Sequence, residues 1–266
     1  MRRRFFVDRF ERESASLRDE AAEHLGRVLR AEPGQLYELS DGQRVWLARV
    51  ERVAVSKRGP SHIDFALVEP IGASEPALHI ELLISIVKFD RFEWCLEKAT
   101  ELGVDEIVPL AAARTDKALI AAAAKRHDRW NRILIESAQQ SRRLRPPVLR
   151  AALPPDKAFA QSFASLKVFL SERREAKSLR KLLDQDSLQV ARALLPVCLS
   201  SQAEAKASST PTISLAVGPE GGWANDEIAS ASAIGFLEAS LGENILRTET
   251  AVIASLAVVQ FALATR

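Results

Sequence analysis

Cysteine is nearly absent from this 266-residue chain: Cys95 and Cys198 are its two, far apart and in no C-x-x-C. No disulfide framework is expected, and a reducing compartment fits better. The four histidines, His24, His62, His79 and His127, have neither an i, i+4 partner nor a cysteine pair, so no metal site is expected. Long apolar runs are missing as well. The opening MRRRFFVDRFERES lacks the roughly seven consecutive apolar residues of a secretory segment, and no window approaches the roughly 20 that span a bilayer. The expected location is cytoplasmic, with no membrane partner. No internal repeat is found. There is no G-x-x-x-x-G-K-[ST], and GPEGGW at 218–223 is not G-x-G-x-x-G, which leaves out the common phosphate loops although Glu238 mimics the ribose-binding acid of a dinucleotide unit.

What is present is ordinary for a well-packed chain of one large or two smaller domains, 47% apolar and 27% charged. The net charge of +2 conceals basic clusters at 2–4, 125–132, 142–145 and 173–181. Such clusters are the footprint of a phosphate-backbone binder, and equally that of a solvated basic face.

The first 75 residues carry short β-like runs (RRFFV, QLYELS, RVWLARVERVAV, HIDFALVEP) between turn signals at Pro33-Gly34, Asp41-Gly42 and Gly59-Pro60, with one helical stretch, DEAAEHLGRVLR. A small, mostly β barrel over residues 1–74 is expected, followed by the linker PIGASEP. From residue 78 strands and helices alternate. HIELLISIV reads as a strand buried on both faces, RFEWCLEKATEL as a helix stopped by Gly103, then EIVPL, KRHDRWNRILIESAQQS, KVFLS, TISLAVG, NDEIASASAI and FLEAS follow. Residues 75–266 therefore predict an α/β domain with a mostly parallel sheet. SSQAEAKASSTP at 200–211 reads as a surface insertion. The closing helix, from about Thr248, is apolar on nearly every side, which predicts burial on more than one face, with a subunit interface as one source of the second.

Two glycine-bearing loops follow strands: LAVGPEGGWANDEI at 215–228 and LGENILRTETA at 241–251. A free helix start after a glycine turn ordinarily suggests phosphate, but Glu220 would place a carboxylate beside the anion, so a neutral or cationic ligand is easier to seat. Two such loops at adjacent strand ends predict one ligand pinched between main-chain groups in the crevice of an open α/β sheet.

These two loops resemble the paired cofactor loops of the SPOUT methyltransferases, and specifically of the RsmE family, which methylates N3 of a uridine in small-subunit (16S) ribosomal RNA. RFFVD, HLGRVLR, Asp41-Gly42, KFDRFEWCLEKATELGVDEIVPL, Arg114 and RWNRILIESAQQSRRLRPP follow the family's order across nearly the whole chain. The resemblance implies a PUA-like β-barrel that helps grip RNA, then an α/β domain tied in a trefoil knot, a homodimer, and S-adenosylmethionine as methyl donor. The implied cofactor-binding residues are Leu215, Val217, Gly218, Pro219, Glu220, Gly221, Leu241, Gly242, Ile245, Leu246, Arg247, Thr248 and Ala251. Arg247 and Arg114 are candidates to stabilise charge on a uracil oxygen, and Glu220 or Glu249 to take the N3 proton. For both acids, a favourable carboxylate in a helix's first turn is the competing reading. Candidate RNA contacts are Arg3, Arg30, Lys88, Arg114, Gln140, Arg143 and Arg145. Glu136, Gln140, Ser141 and Arg143 share one helix face, and Lys98 and Glu101 are weaker candidates. The chain departs from the family pattern at Ala224, so that Asn225 or Asp226 is expected to cap the next helix, at Arg142, and in a long stretch at 173–211.

Overall fold

The computed structural model describes residues 3–55, 61–73, 76–185 and 211–263. The chain forms two compact units, residues 1–75 with 135–146, and residues 76–134 with 147–266.

The first unit contains β1 (Arg4–Phe6), β2 (Ser14–Arg18), α1 (Asp19–Glu23) with a π-helical turn at His24–Val28, β3 (Leu36–Ser40), β4 (Val45–Ala54) and β5 (His62–Ile71). Its sheet runs β1-β3-β4-β5-β2, antiparallel apart from the β1–β3 pair. Register shifts at Leu47/Ala48 and Val50/Arg52 bend the long β4 and curl the sheet around Phe5, Leu17, Leu25, Leu39, Ile63 and Phe65. The turn signals at Pro33-Gly34 and Asp41-Gly42 hold, Gly34 and Gly42 being left-handed at φ 91° and 84°, while Gly59-Pro60 lies outside the described residues. Residues 135–146 join this unit, whereas the sequence placed them in the second. The reason is polar. Glu38, with its side chain only 2% exposed, is flanked by Arg4, which donates from Nε and Nη2 at 3.1 and 3.0 Å, and by Arg142. Arg4 Nη1 also donates to the carbonyl of Arg142 at 2.6 Å, and Ser40 Oγ to that of Leu144 at 2.6 Å. Two cations thus offset one buried carboxylate, and burial, then Arg142, lowers the pKa of Arg4.

The second unit contains β6 (His79–Ser85), α2 (Phe89–Glu101), β7 (Glu106–Leu110), α3 (Lys117–Ala123), α4 (His127–Gln140, shared with the first unit), β8 (Val148–Leu149), α5 (Pro155–Gln161), β9 (Leu166–Leu170), β10 (Lys177–Ser178), α6 (Leu179–Gln185), β11 (Thr212–Val217), α7 (Asn225–Ala233), β12 (Leu237–Ser240) and α8 (Thr248–Leu263). The sheet is wholly parallel in the order β10-β12-β9-β11-β6-β7-β8. Its central strands β6 and β11 are buried on both faces, as their largely apolar runs, interrupted by Glu81 and Ser214, suggest. One face packs Leu82, Ile84, Leu215 and Val217 against α2 and α8, the other packs Leu83, Val108 and Ala216 against Phe159, Trp223 and Phe236. α2 buries Phe92, Cys95, Leu96 and Ala99 and ends at Gly103, φ 87°. From β11 the chain crosses by α7 to β12, beyond β9, and returns to lay α8 against α2, where Gln260 Nε2 donates to Leu102 O at 3.0 Å.

Within the chain α8 buries a single stripe, Thr248, Val252, Ser255, Leu256 and Val259, and leaves Ala257 and Phe261 exposed. Of the 173–211 stretch, β10 and α6 are formed, and residues 186–210, including most of the expected insertion, lie outside the described residues. Among the described residues no helix is long and apolar enough to cross a membrane.

Candidate active site

The loops after β11 and β12 lie at the carboxyl ends of the two strands that flank β9, not of adjacent strands as the sequence suggested, and wall a cavity of about 370 Å³ with Val217, Gly218, Pro219, Glu220, Gly222, Leu241, Gly242, Ile245, Leu246, Thr248 and Ala251. That volume suits a small ligand. Thr248, the first residue of α8, donates from Oγ1 to the carbonyl of Gly218 at 3.2 Å and clasps one loop to the other. Arg114 and the β9 end, Ser171, Glu172 and Arg173, complete the wall.

Each glycine has its own cause. A Cβ on Gly218 would sit 3.0 Å from Cε2 of Trp223. The indole fills that space and is fixed by its own donation from Nε1 to Leu170 O at 2.8 Å, with Phe159 beside it. Gly222 closes a turn by donating its N–H to Pro219 O at 2.9 Å and is left-handed at φ 70°. Gly242 stands at φ 133° with open space where a side chain would point, so backbone conformation alone selects glycine there.

Charge is organised by arginines from other elements. Arg114 donates from Nη1 to Gly221 O at 2.7 Å. Arg91, in the first turn of α2, stands between the two acids of the loops, with Nη1 3.4 Å from Glu220 Oε1 and Nε 3.8 Å from Glu249 Oε1. One turn further along α2 is Cys95, whose thiol is pushed up to about 12 by burial and by the charge of Glu249. The start of α7 is held by Glu227, which accepts from Ala224 N and Ala113 N, both at 2.8 Å. The cap expected from Asn225 or Asp226 is therefore supplied from the third helical position, as one half of a capping box, and the same carboxylate ties α7 to the turn bearing Arg114.

A profile of the family described as RNA methyltransferase domain matches residues 74–260. The ribosomal RNA small subunit methyltransferase E of Synechocystis is 34% identical over 237 residues, covering 88% of this chain and 68% of its own. The chain belongs to the RsmE family. A methyltransferase from Legionella pneumophila, solved in complex with its bound cofactor SAM, superposes with a TM-score of 0.76 at 31% identity, covering 98% of both chains. The ribosomal RNA small subunit methyltransferase E of Neisseria gonorrhoeae, bound to S-adenosyl methionine, does so with a TM-score of 0.76 at 28% identity, again over 98% of both. The RsmE chain is thus an RNA methyltransferase with the expected two-part α/β architecture.

Against the residues named from sequence, the structure brings Val217, Gly218, Pro219, Glu220, Leu241, Gly242, Ile245, Leu246, Thr248, Ala251 and Arg114 to one cavity. Leu215 is instead fully buried in the sheet core. Gly221 meets Arg114, whose Cβ lies 3.3 Å from where a Gly221 Cβ would be. Arg247 is exposed in the second loop, and both it and Glu249, a mostly buried acid whose Oε2 has no hydrogen-bond partner, lie outside the cavity wall. Arg3, Arg30, Lys88 and Gln140 are exposed, Arg143 is half-buried, and Arg145 donates to Gly42 O at 3.4 Å. Lys98 is occupied by Glu97 and Glu101, both at 2.8 Å, as a helix-surface network. Sequence reading missed Glu172, Trp223, Glu227 and Arg91. Only Trp223 carried a signal, a large aromatic immediately after a paired glycine.

Proposed function

We propose that the protein transfers a methyl group from S-adenosylmethionine to N3 of a uracil in small-subunit ribosomal RNA, in the cytoplasm and as a homodimer. The observation that carries this reading is the clasped pair of loops at the strand ends, joined by Thr248 and Gly218. The wall fits the donor: Val217, Leu241, Ile245, Leu246 and Ala251 offer apolar surface, Gly242 leaves open space, and Glu172 and Glu220 place carboxylates where a cation is favoured over a phosphate. When bound there, S-adenosylmethionine supplies an electrophilic methyl on a sulfonium.

The chain's own contribution is positioning and the handling of charge. Arg114 braces the first loop through Gly221 and keeps its other donors for the uracil oxygen that becomes negative as the N3 proton leaves. Glu220 is the proton acceptor of the two acids that lies on the cavity wall. Arg247, on the exposed second loop, meets the RNA as it enters. Because N3 lies on the pairing edge, the target uridine is bound unpaired. Arg3, Arg30, Lys88, Gln140, Arg143 and Arg145 contact the RNA, the first-unit arginines through the PUA-like sheet. The exposed apolar face of α8, with Phe261 92% exposed, is the dimer surface.

Calorimetry with S-adenosylmethionine and nucleoside mass spectrometry of treated small subunits test the reading together. Binding in the micromolar range and formation of N3-methyluridine are expected. A methylated ribose, or no binding, sinks it.

A further inference from the structure

We infer that Arg91 is a positioning residue for the methyl donor: one guanidinium from α2 that holds the two cofactor loops at their working separation by pairing with an acid from each. The inference rests on the proposed donor site and adds a residue to it.

The geometry is specific. Glu220 belongs to the first loop and lines the cavity, and Glu249 belongs to the first turn of the helix that the second loop enters. Far apart in sequence, they converge on Arg91, at 3.4 Å through Nη1 and 3.8 Å through Nε. The Thr248 to Gly218 hydrogen bond joins the loops at main-chain level, and Arg91 joins them at side-chain level from a third element. Glu249 is only 14% exposed, and its Oε2 is buried without a hydrogen-bond partner. A carboxylate in that state needs a cation close by, since unpaired buried charge is strongly disfavoured. The charge of Glu249 also reaches Cys95, four residues after Arg91 on the same helix, so the pair sits where α2 meets α8. Without Arg91 two carboxylates would face each other across the seam between the loops, and like charges in a partly desolvated site separate. The cavity wall would open, and the donor would lose the contacts that both loops must make at once.

The lever is the cation, not the shape of arginine: the separations are those of charge pairs and not of short bidentate hydrogen bonds. Arg91→Lys should therefore retain the function that Arg91→Ala loses. By calorimetry Arg91→Ala is expected to weaken S-adenosylmethionine binding about tenfold, and S-adenosylhomocysteine, which lacks the sulfonium charge, by a similar factor. Arg91→Lys should stay within about twofold of the parent. In steady-state assays the KM for the donor rises while that for RNA does not, and hydrogen exchange of residues 241–247 accelerates in the ligand-free protein. Glu249→Gln placed in the Arg91→Ala background should recover part of the lost affinity.

Unchanged donor affinity in Arg91→Ala overturns the inference. So does a parallel rise of both KM values with falling Tm that Arg91→Lys fails to rescue, or a Glu249→Gln effect that simply adds to the loss. A parent protein that binds neither donor nor product overturns the proposed function itself, before Arg91 enters.

Discussion

Arg114 donates one hydrogen bond, from Nη1 to the carbonyl of Gly221 at 2.7 Å, and its other donors have no partner among the described residues. One edge of the guanidinium is committed to the first loop, and the rest is left to the cavity it lines. Removing it takes away a loop brace and a charge-stabilising donor together. Arg114→Ala is expected to lower kcat about 100-fold with a smaller change in donor affinity. Arg114→Lys should recover little, because a single ammonium lacks the planar fork needed to serve both directions. Methylation rates on small subunits, set beside calorimetric affinities, check this. A loss confined to donor binding would remove Arg114 from the chemistry.

Gly218 and Gly242 should respond differently to alanine. At Gly218 the new methyl meets the Trp223 ring at 3.0 Å, so the indole must shift and strain its bond to Leu170. Overpacking of this kind costs about 1–3 kcal/mol. At Gly242 there is room, but φ is 133°, and the cost, again about 1–3 kcal/mol, is backbone strain. Denaturant unfolding should show both losses. Only Gly218→Ala should alter the near-ultraviolet signal of the folded tryptophans.

Glu227 carries two backbone donors on one carboxylate. Glu227→Ala leaves Ala224 N–H and Ala113 N–H without their acceptor and should destabilise the protein by about 1–2 kcal/mol. It should also slow methyl transfer, since Ala113 precedes Arg114. Ala224→Ser, which adds the missing cap hydroxyl, is expected to regain part of the stability in that background.

Cys95 should be inert to alkylation in the folded protein at neutral and mildly alkaline pH, because burial and Glu249 raise its thiol to about 12. An unfolded cysteine ionises near about 8.5. Between those values the unfolded chain holds fewer protons than the folded one, so stability attributable to this group is full below the lower value and falls as pH rises toward about 12. Mass-spectrometric labelling with iodoacetamide, native against denatured, is the direct test, and Cys95→Ala should flatten the alkaline limb of the stability profile.

The second unit was readable where its physics is local. Largely apolar runs marked β6 and β11, an amphipathic stripe closed by Gly103 marked α2, and glycines after strands marked both loops. What escaped detection depends on distant partners or weak local signals. β2, Ser14–Arg18, has only Ala15 and Leu17 as inward residues and is a strand because β5 pairs with it. Short α5 and α6 have too few turns for a period to show. Leu215 was named with the cofactor residues by neighbourhood in a motif, yet it lies two residues back from the carboxyl end of β11, inside a strand buried on both faces, while Val217 at that end reaches the cavity. Trp223 explains Gly218, and Arg91 links Glu220 to Glu249, through contacts that no spacing along the chain encodes.

The buried Glu38 has a consequence for anyone dissecting this protein. Its second cation, Arg142, and the carbonyl that receives Ser40 Oγ, that of Leu144, arrive from a stretch some hundred positions downstream. Cutting the gene at the obvious seam near residue 75 would leave buried Glu38 with Arg4 but without Arg142, and Ser40 Oγ and Arg4 Nη1 without their carbonyl acceptors, which should weaken the fragment and expose it to proteases. A chimera that exchanges the first unit between relatives must transplant the 135–146 stretch with it, or inherit an insoluble product.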